Sequence, residues 1–464
     1  MKVLLINPVI GGKKNIIFPL GLGYIASVLI KENHEVKVLD INAHRYSKEE
    51  VERRLRQMNF NIVGLTGLLT AYSYIKWLVG KIKELRPDVK IVLGGGLGTL
   101  APKLMIEKCK VDFVVLSEGE KVVKELIKSI EKNYSLRNVR GIAFKSENNK
   151  AIVNQPAEII RDPDSIPFPA WHLFPMECYT GPSYLRLFNK NIKTMNMIAS
   201  RGCPYNCTYC FKGAWGSKYR NRSAENIIEE IKLLKEKYGV NGIRFYDDTF
   251  ILNKKMVMEL CSRMIKEKLG VIWMANGRVN LMDKKLLKMM RKAGCRAICY
   301  GIESGCQRIL NDMKKGVTVE QTRRTVMETW KAGILPHGYL MIGMPNDTRE
   351  TINETVNLCK ELSLVGRFSI VTPIPGSQLW ERAKEMGRIS KNLGYYLEKW
   401  SEWGDSIIVN LTTLSNKELL KLKKQAEKKI FFGNMLTKLW RHCRILRMNN
   451  ILSEASIRVK EILR

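Results

Sequence analysis

Three thiols crowd into eight positions of this chain, within Ser200-Arg201-Gly202-Cys203-Pro204-Tyr205-Asn206-Cys207-Thr208-Tyr209-Cys210-Phe211. On a loop held by Gly202 and Pro204, three thiolates spaced C-x3-C-x2-C can take three corners of a cubane 4Fe-4S cluster, leaving the fourth iron without a protein ligand. A structural zinc ion wants four protein ligands, and no further Cys or His lies within ten residues of the triplet. A disulfide framework is disfavoured by the odd number of thiols and by the enzyme-like, intracellular character of the chain. Zinc and inert thiols stay open as alternatives.

The elements that position this loop form a second alternating series. Strand-like runs lie at Thr194 to Ser200, Gly242 to Tyr246, Val271 to Ala275, Ala297 to Gly301, Pro336 to Ile342 and Arg367 to Thr372. Helical patterns intervene at Ala224 to Lys237, Lys254 to Lys268, Lys284 to Lys292, Val319 to Ala332 and Glu350 to Leu362. Six strands with crossover helices suffice for a partial β/α barrel whose site lies at the strands' C-terminal ends. Arg278, which ends the third strand, can pair with a carboxylate. Asp248 and Thr249 can instead be read as a helix N-cap.

With Tyr209 as its aromatic, the C-x3-C-x-aromatic-C pattern resembles the radical S-adenosylmethionine superfamily, over roughly residues 194 to 390. The resemblance implies that the open iron chelates the amino and carboxylate groups of S-adenosylmethionine. An electron from the reduced cluster then cleaves the sulfonium to methionine and a 5'-deoxyadenosyl radical, which abstracts hydrogen from substrate. It also implies S-adenosylmethionine contacts at Tyr209, at Asp247 or Asp248 for the ammonium group, and at Arg278, Glu303 and Ser304. Gly343-Met344-Pro345 and Pro373-Ile374-Pro375-Gly376 resemble the turns after strands five and six. Cys295, Cys299 and Cys306 invite a second cluster but suit a buried strand better. Among the five His, His337 on the fifth strand is the candidate for catalytic proton transfer.

Ahead of the barrel, strand-like runs at Lys2 to Asn7, Glu35 to Asp40, Ile62 to Thr66, Lys90 to Gly94 and Phe113 to Leu116 alternate with helical stretches. The helical stretches are Leu20 to Lys31, Ser47 to Met58, Tyr72 to Arg86 and Lys121 to Lys132. This predicts a doubly wound α/β, Rossmann-like domain with a parallel sheet that binds ligands at its strand ends. Those ends carry Gly94-Gly95-Gly96 and Ser117-Glu118-Gly119-Glu120. The boundaries read as 1–140 for this domain, 141–193 for a hairpin and proline-rich linker, 194–390 for the barrel and 391–464 for a basic, mostly helical C-terminal region.

An N-terminal domain of this kind resembles the cobalamin-binding subclass of the superfamily, as do Phe18-Pro19-Leu20-Gly21-Leu22-Gly23-Tyr24, Val38-Leu39-Asp40 and the Asp-Ser-Ile-Pro-Phe-Pro linker. The resemblance implies a cobalamin site at Gly21, Thr66, Gly94, Gly95, Gly96, Glu118 and Gly119. The D-x-H-x-x-G motif of cobalamin-dependent mutases is absent, since Asp40 and His44 are wrongly spaced. The reading is a cobalamin-dependent enzyme that methylates an unactivated carbon. The runner-up is a radical oxidation or cyclisation like that of the anaerobic Mg-protoporphyrin monomethyl ester cyclase group. A non-catalytic cobalamin or redox sensor on nucleic acid is the alternative of another class. A tRNA methylthiotransferase fails on its N-terminal cysteines, because only Cys109 precedes residue 178.

The 464 residues, 45% hydrophobic and 27% charged, exclude a disordered chain or a disulfide miniprotein. With 78 Lys and Arg against 45 Asp and Glu the net charge is +33, which favours anionic partners. The expected partners are a small-molecule or lipid-like substrate and a reductant such as flavodoxin or ferredoxin; nucleic acid is not expected. From Lys417 to Arg464 there are 13 Lys or Arg against four Glu, and Phe432, Leu436, Leu439 or Trp440, Cys443 and Leu446 recur at helical spacing. Such a basic amphipathic helix can lie on a membrane surface or dock on the barrel. No run is long enough to span a bilayer, so the expectation is cytoplasmic, with peripheral membrane contact through the tail.

Overall fold

Alternate side chains of the first strand enter different cores, and this two-residue period organises the N-terminal half. The computed structural model describes residues 1–9, 16–181, 184–189, 191–401 and 407–432. Seven strands form the first sheet: β1 (Lys2–Asn7), β2 (Glu35–Asp40), β3 (Ile62–Thr66), β4 (Lys90–Gly94), β5 (Phe113–Val115), β6 (Ile142–Lys145) and β7 (Ala151–Val153). Their order is β2-β1-β3-β4-β5-β6-β7, parallel through β5. Leu4, Ile6, Val63, Leu65, Ile91 and Leu93 pack under helices Lys48–Gln57 and Tyr72–Leu85. Val3, Leu5, Ile62 and Val92 pack under helices Leu20–Lys31 and Gly119–Glu131 on the other face. The strand order reverses between β1 and β3, so the ligand crevice of such a sheet lies at the C-terminal ends of these two strands.

Three features depart from the sequence reading. The hairpin β6–β7 pairs antiparallel onto β5 and extends the first sheet to Val153, past the expected boundary at 140, because three short residues of β5 leave an edge that needs covering. The glycines after β4 open a short helix, Gly95–Leu100, that lies outside the helical stretches read from the sequence. The proline-rich segment is packed, not loose: Trp171, Phe174 and Tyr179 surround Phe18 at ring-centroid distances of 4.4, 4.7 and 5.1 Å. Gly23 permits this approach, since a Cβ there would lie 2.9 Å from Pro169 Cβ and 3.0 Å from the Phe18 ring.

The second sheet holds β8 (Thr194–Met197), with the two-residue ladder β9 (Ser200–Arg201) and β10 (Arg220–Asn221) beside it. It continues through β11 (Gly242–Phe245), β12 (Ile272–Gly277), β13 (Cys295–Glu303), β14 (Leu335–Ile342) and β15 (Val365–Ile370). All six long strands run parallel in the order β15-β14-β13-β12-β11-β8, an open six-stranded β/α barrel. Its crossover helices start where polar caps demand: Ser223, Asn253, Asp283, Thr318, Thr348 and Ser377 each accept a backbone N–H of the first turn. The N-cap at this point is Asn253, not Asp248 or Thr249.

Helix Leu393–Ser401 staples the two units. Leu397 is buried in the first core, Ser401 Oγ accepts from Ser73 N at 3.1 Å, and Tyr396 meets Trp380 of the barrel at 5.5 Å. Helix Asn416–Phe432 docks on the barrel through Leu419, Ala426 and Ile430, with Glu418 accepting from Arg349 Nε at 2.6 Å. Leu436, Leu439, Trp440, Cys443 and Leu446 lie outside the described residues. Among the described residues no helix is long and apolar enough to cross a membrane.

Gly23→Ala is expected to lower stability by about 1–3 kcal/mol through overpacking. Gly21→Ala, whose Cβ meets nothing within 4 Å, is the matched control and should leave the midpoint unchanged or higher in urea denaturation followed by circular dichroism.

Candidate active site

The cysteine loop begins on a stem that is gripped from two sides. Gly202 turns the chain at φ +83, and a Cβ there would lie 2.3 Å from Lys218 O, so only glycine fits. From the barrel side, Asp247 receives Ala199 N at 3.1 Å and Ser200 Oγ at 2.5 Å. Burial pushes the Asp247 carboxyl up to about 6, and the donors from Ser200 and Ala199 oppose this. From the N-terminal domain, Glu118 meets Arg201 Nη1 at 3.2 Å and Arg220 Nη1 at 2.7 Å, and Glu120 meets Arg201 Nη2 at 2.5 Å. All four side chains are buried.

Three residues expected at ligand sites have partners within the protein. Asp247 is spent on the loop stem, leaving Asp248 as the carboxylate exposed at the mouth. Glu118 is spent on two arginines and on Ile160 N at 2.8 Å, because a buried carboxylate must be matched by charge before it can serve a ligand. Gly119 is small for packing, since a Cβ would lie 3.0 Å from Ile25 Cδ1 and 3.3 Å from Val115 Cγ1.

Beyond the stem, the segments that follow β11, β12, β13 and β15 touch the loop. Thr249 Oγ1, past β11, lies 3.7 Å from Cys203 Sγ. Arg278, past β12, stacks on Tyr205 with its guanidinium carbon 3.6 Å from the ring centroid, and Nη1 reaches Cys207 Sγ at 3.9 Å. Its Nη2 is buried with no hydrogen-bond partner among the described residues. Thr208 N donates to Met313 O at 2.9 Å, and Leu379 N donates to Thr208 O at 2.8 Å, pinning the middle of the loop.

Past β13 the register slips between Gly301 and Glu303, and Glu303 takes φ +65. Its Oε1 receives Lys315 Nζ at 2.8 Å and Tyr209 OH at 3.1 Å. A Cβ on Gly301 would lie 2.6 Å from that oxygen and 2.8 Å from Lys315 Nζ, so the missing side chain makes room for the pair. Ser304 Oγ accepts from Cys306 N at 3.1 Å and lies 3.2 Å from Thr355 Oγ1, so this side chain shapes the turn after β13.

The donor set fits an iron-sulfur cube better than a single ion. Among the described residues no group of three His, Cys, Asp or Glu converges to hold one metal ion. A cube needs its three thiolates apart, one per iron, whereas zinc needs its ligands on one point. Desolvation, with Cys207, Asp248 and Cys203 nearby, pushes the Cys210 thiol up to about 11, so metal binding there releases a proton. Cys295, Cys299 and Cys306 are buried free thiols. His337 sits on β14 with its pKa pushed down to about 4 by burial and Arg244, so at neutral pH it is an uncharged imidazole and no proton donor of ordinary strength.

Opposite the loop lie the ends of β3 and β4. Gly95 has φ +78, and a Cβ would press to 2.9 Å from Thr66 Oγ1. At Gly94, Gly96 and Gly21 nothing among the described residues lies nearer than 3.9 Å to a built Cβ, so packing by them does not account for glycine there. Ile17, between β1 and the helix Leu20–Lys31, and Leu68, just after β3, expose 46% and 53% of their surface, apolar groups beside a backbone floor that suits a broad, flat ligand such as a corrin. The crevice faces the barrel mouth, because Ser117 Oγ, past β5, donates to Gly213 O just after the cysteines at 2.7 Å.

Sequence reasoning missed Arg201, Arg220, Lys315 and Thr249. The signal available was Arg201 beside the turn glycine and the run Tyr219-Arg220-Asn221-Arg222, whose partners lie far away in the chain.

Comparison with known proteins agrees with this arrangement. Residues 197–359 match the radical SAM superfamily and residues 7–127 match the B12 binding domain. An uncharacterized methyltransferase of Pyrococcus horikoshii is 36% identical over 369 residues, 79% of this chain and 78% of that protein. The anaerobic magnesium-protoporphyrin IX monomethyl ester cyclase of Rubrivivax gelatinosus is 29% identical, over 78% of this chain and 66% of its own. The fold is shared with the radical S-adenosylmethionine methyltransferase TsrM from Kitasatospora setae, solved with cobalamin and a 4Fe-4S cluster, at a TM-score of 0.71 and 22% identity over 85% of this chain and 76% of that one. The chain therefore belongs to the radical SAM superfamily, in the branch whose members carry a B12-binding domain ahead of the barrel.

Proposed function

We propose that this enzyme transfers a methyl group to an unactivated carbon of a small-molecule substrate, using a 4Fe-4S cluster, S-adenosylmethionine and cobalamin. The observation that carries the reading is the apposition of the two strand-end sites: the cysteine loop and the glycine floor face each other, locked by Ser117 on Gly213 and by Arg201 between Glu118 and Glu120. A methyl carrier and a radical source must both reach one carbon, and this apposition supports that demand.

Cys203, Cys207 and Cys210 would hold the cluster, and Thr66 with Gly94, Gly95, Gly96 and Gly21 would bed the corrin. When bound, the cluster delivers the electron that cleaves S-adenosylmethionine to a radical, and the corrin carries the methyl group. The chain's own groups orient these partners. Asp248 at the mouth suits the methionine ammonium, and the unpartnered Nη2 of Arg278 suits the methionine carboxylate. Tyr209, held by Glu303 and Lys315, keeps the last cysteine in place. Phe211 packs on Gly376 past β15, 3.2 Å from where a Cβ would stand, and helps close the mouth to water. A flavodoxin or ferredoxin would serve as electron donor.

Anaerobic reconstitution followed by reduction with methyl-deuterated S-adenosylmethionine tests the reading. Expected are 5'-deoxyadenosine, a bound corrin spectrum and a product heavier by one labelled methyl group in place of hydrogen. A product that has lost hydrogens and gained no label would instead indicate radical oxidation or cyclisation. Cys203→Ala, Cys207→Ala and Cys210→Ala should each remove the iron-sulfur absorbance and drop 5'-deoxyadenosine to background while leaving the corrin spectrum intact.

Asp247→Asn and Asp248→Asn should separate cleanly. The first replaces an acceptor of two stem donors and lowers iron retention on desalting; the second keeps iron and weakens S-adenosylmethionine binding, read by equilibrium dialysis. Lys315→Met leaves the Glu303 carboxylate buried without its counter-charge, a loss of about 3–5 kcal/mol in urea denaturation.

A further inference from the structure

The barrel lumen holds a cation that no acid matches. Along β11, Phe245 faces outward onto Phe250 and Trp273, whereas Arg244 and Tyr246 face inward. The Arg244 guanidinium carbon lies 4.2 Å from the Tyr246 ring centroid, and Nη2 donates to Tyr339 OH at 3.3 Å. Two strands separate β11 from β14, so this contact spans the lumen. Arg367, in register with Tyr339 on β15, lies on the same face and is exposed.

Among the described residues neither Arg244 nor Arg367 has a carboxylate partner. Of the buried arginines, Arg201, Arg220 and Arg222 each hold a glutamate, whereas Arg278, beside the cysteine loop, has no carboxylate partner among the described residues. Of the acids ending β11 and β13, Asp247 is engaged by Ser200 and Glu303 by Lys315, and Asp248 makes no ion pair with Arg244 among the described residues. A guanidinium half-withdrawn from water, over the Tyr246 ring and beside the Tyr339 hydroxyl, is a strong site for an oxyanion, and its fork matches a carboxylate or a phosphate.

We propose that Arg244, with Arg367 across the open side of the lumen, binds the carboxylate or phosphate of an elongated organic acid, and that this acid is the substrate class of the reaction proposed above. The assignment rests on that reaction for the word substrate, not for the binding site itself. Arg244 lies three residues before Asp247, about 10 Å down an extended strand. An acid anchored there projects its body up between Tyr246 and Tyr339 and presents a carbon roughly that far from its charge at the mouth.

The test is equilibrium dialysis of the reconstituted full chain, without oxygen or reductant, against 2-naphthoate, 2-naphthyl phosphate and neutral 2-naphthalenemethanol. At least one anion should bind about tenfold or more tightly than the alcohol, a difference of one decade in Kd. Preference between the two anions tells carboxylate from phosphate. Arg244→Gln should erase the advantage of the anion, Arg244→Lys should restore part of it, and Arg367→Gln should weaken it several-fold in a chain whose core is untouched. Lys288→Gln, on the outer face of the barrel, should change nothing. The proposal is overturned if no anion binds, if the alcohol binds equally well, if Arg244→Gln leaves anion affinity intact, or if Lys288→Gln abolishes it. Dialysis needs no turnover, so this result and the 5'-deoxyadenosine assay can fail independently.

Discussion

Two guanidinium groups buried between two domains set the terms for everything else. Arg201 and Arg220 are withdrawn from water, and among the described residues Glu118 and Glu120 answer their charge. An ion pair in that setting adds little net stability, but losing one partner strands a charge at a penalty of several kcal/mol. The domains are therefore free to adopt one relative placement and are penalised for others. Because Arg201 is two residues from Cys203, the same constraint that orients the domains also fixes the root of the cysteine loop.

From that root the loop is built outward by short, local devices. Gly202 supplies a turn that no side chain permits, Asp247 ties the strand preceding it, and Arg278 braces it from the flank by stacking on Tyr205. The slipped register at Glu303 aims a carboxylate back at Tyr209, with Lys315 neutralising it. Bulges and strained backbone beside a site are a recurring way to re-aim one side chain. The glycine floor across the mouth follows the opposite logic, with side chains withheld where the protein itself has no need for the space.

Periodicity carried most of the fold in the sequence. The apolar runs of both alternating series end within a few residues of the observed strands, since buried parallel strands must be continuously apolar, whereas the alternative cap at Asp248 and Thr249 gives way to Asn253, whose side chain takes the first-turn N–H. The thiol spacing was legible because its chemistry is local. What the acids do was not legible: Glu118 finds Arg201 83 residues away and Asp247 finds Ser200 47 residues away, so a strand-end carboxylate looks the same whether it meets a ligand or an arginine. The hairpin at β6 and β7 was visible, but its attachment to β5 depends on an unpaired edge that only the folded sheet exposes. The cation at Arg244 was hidden for a related reason, because its meaning lies in the absence of a nearby acid in three dimensions.

Amide hydrogen exchange on Glu118→Gln bears most directly on the claim that the interdomain ion pairs root the cysteine loop. The account predicts that backbone amides from Ser200 to Arg222 exchange at least about tenfold faster than in the parent, as a local opening lowered by more than 1.4 kcal/mol requires. Unchanged protection in that segment, with faster exchange confined to the helix Gly119–Glu131, would contradict it.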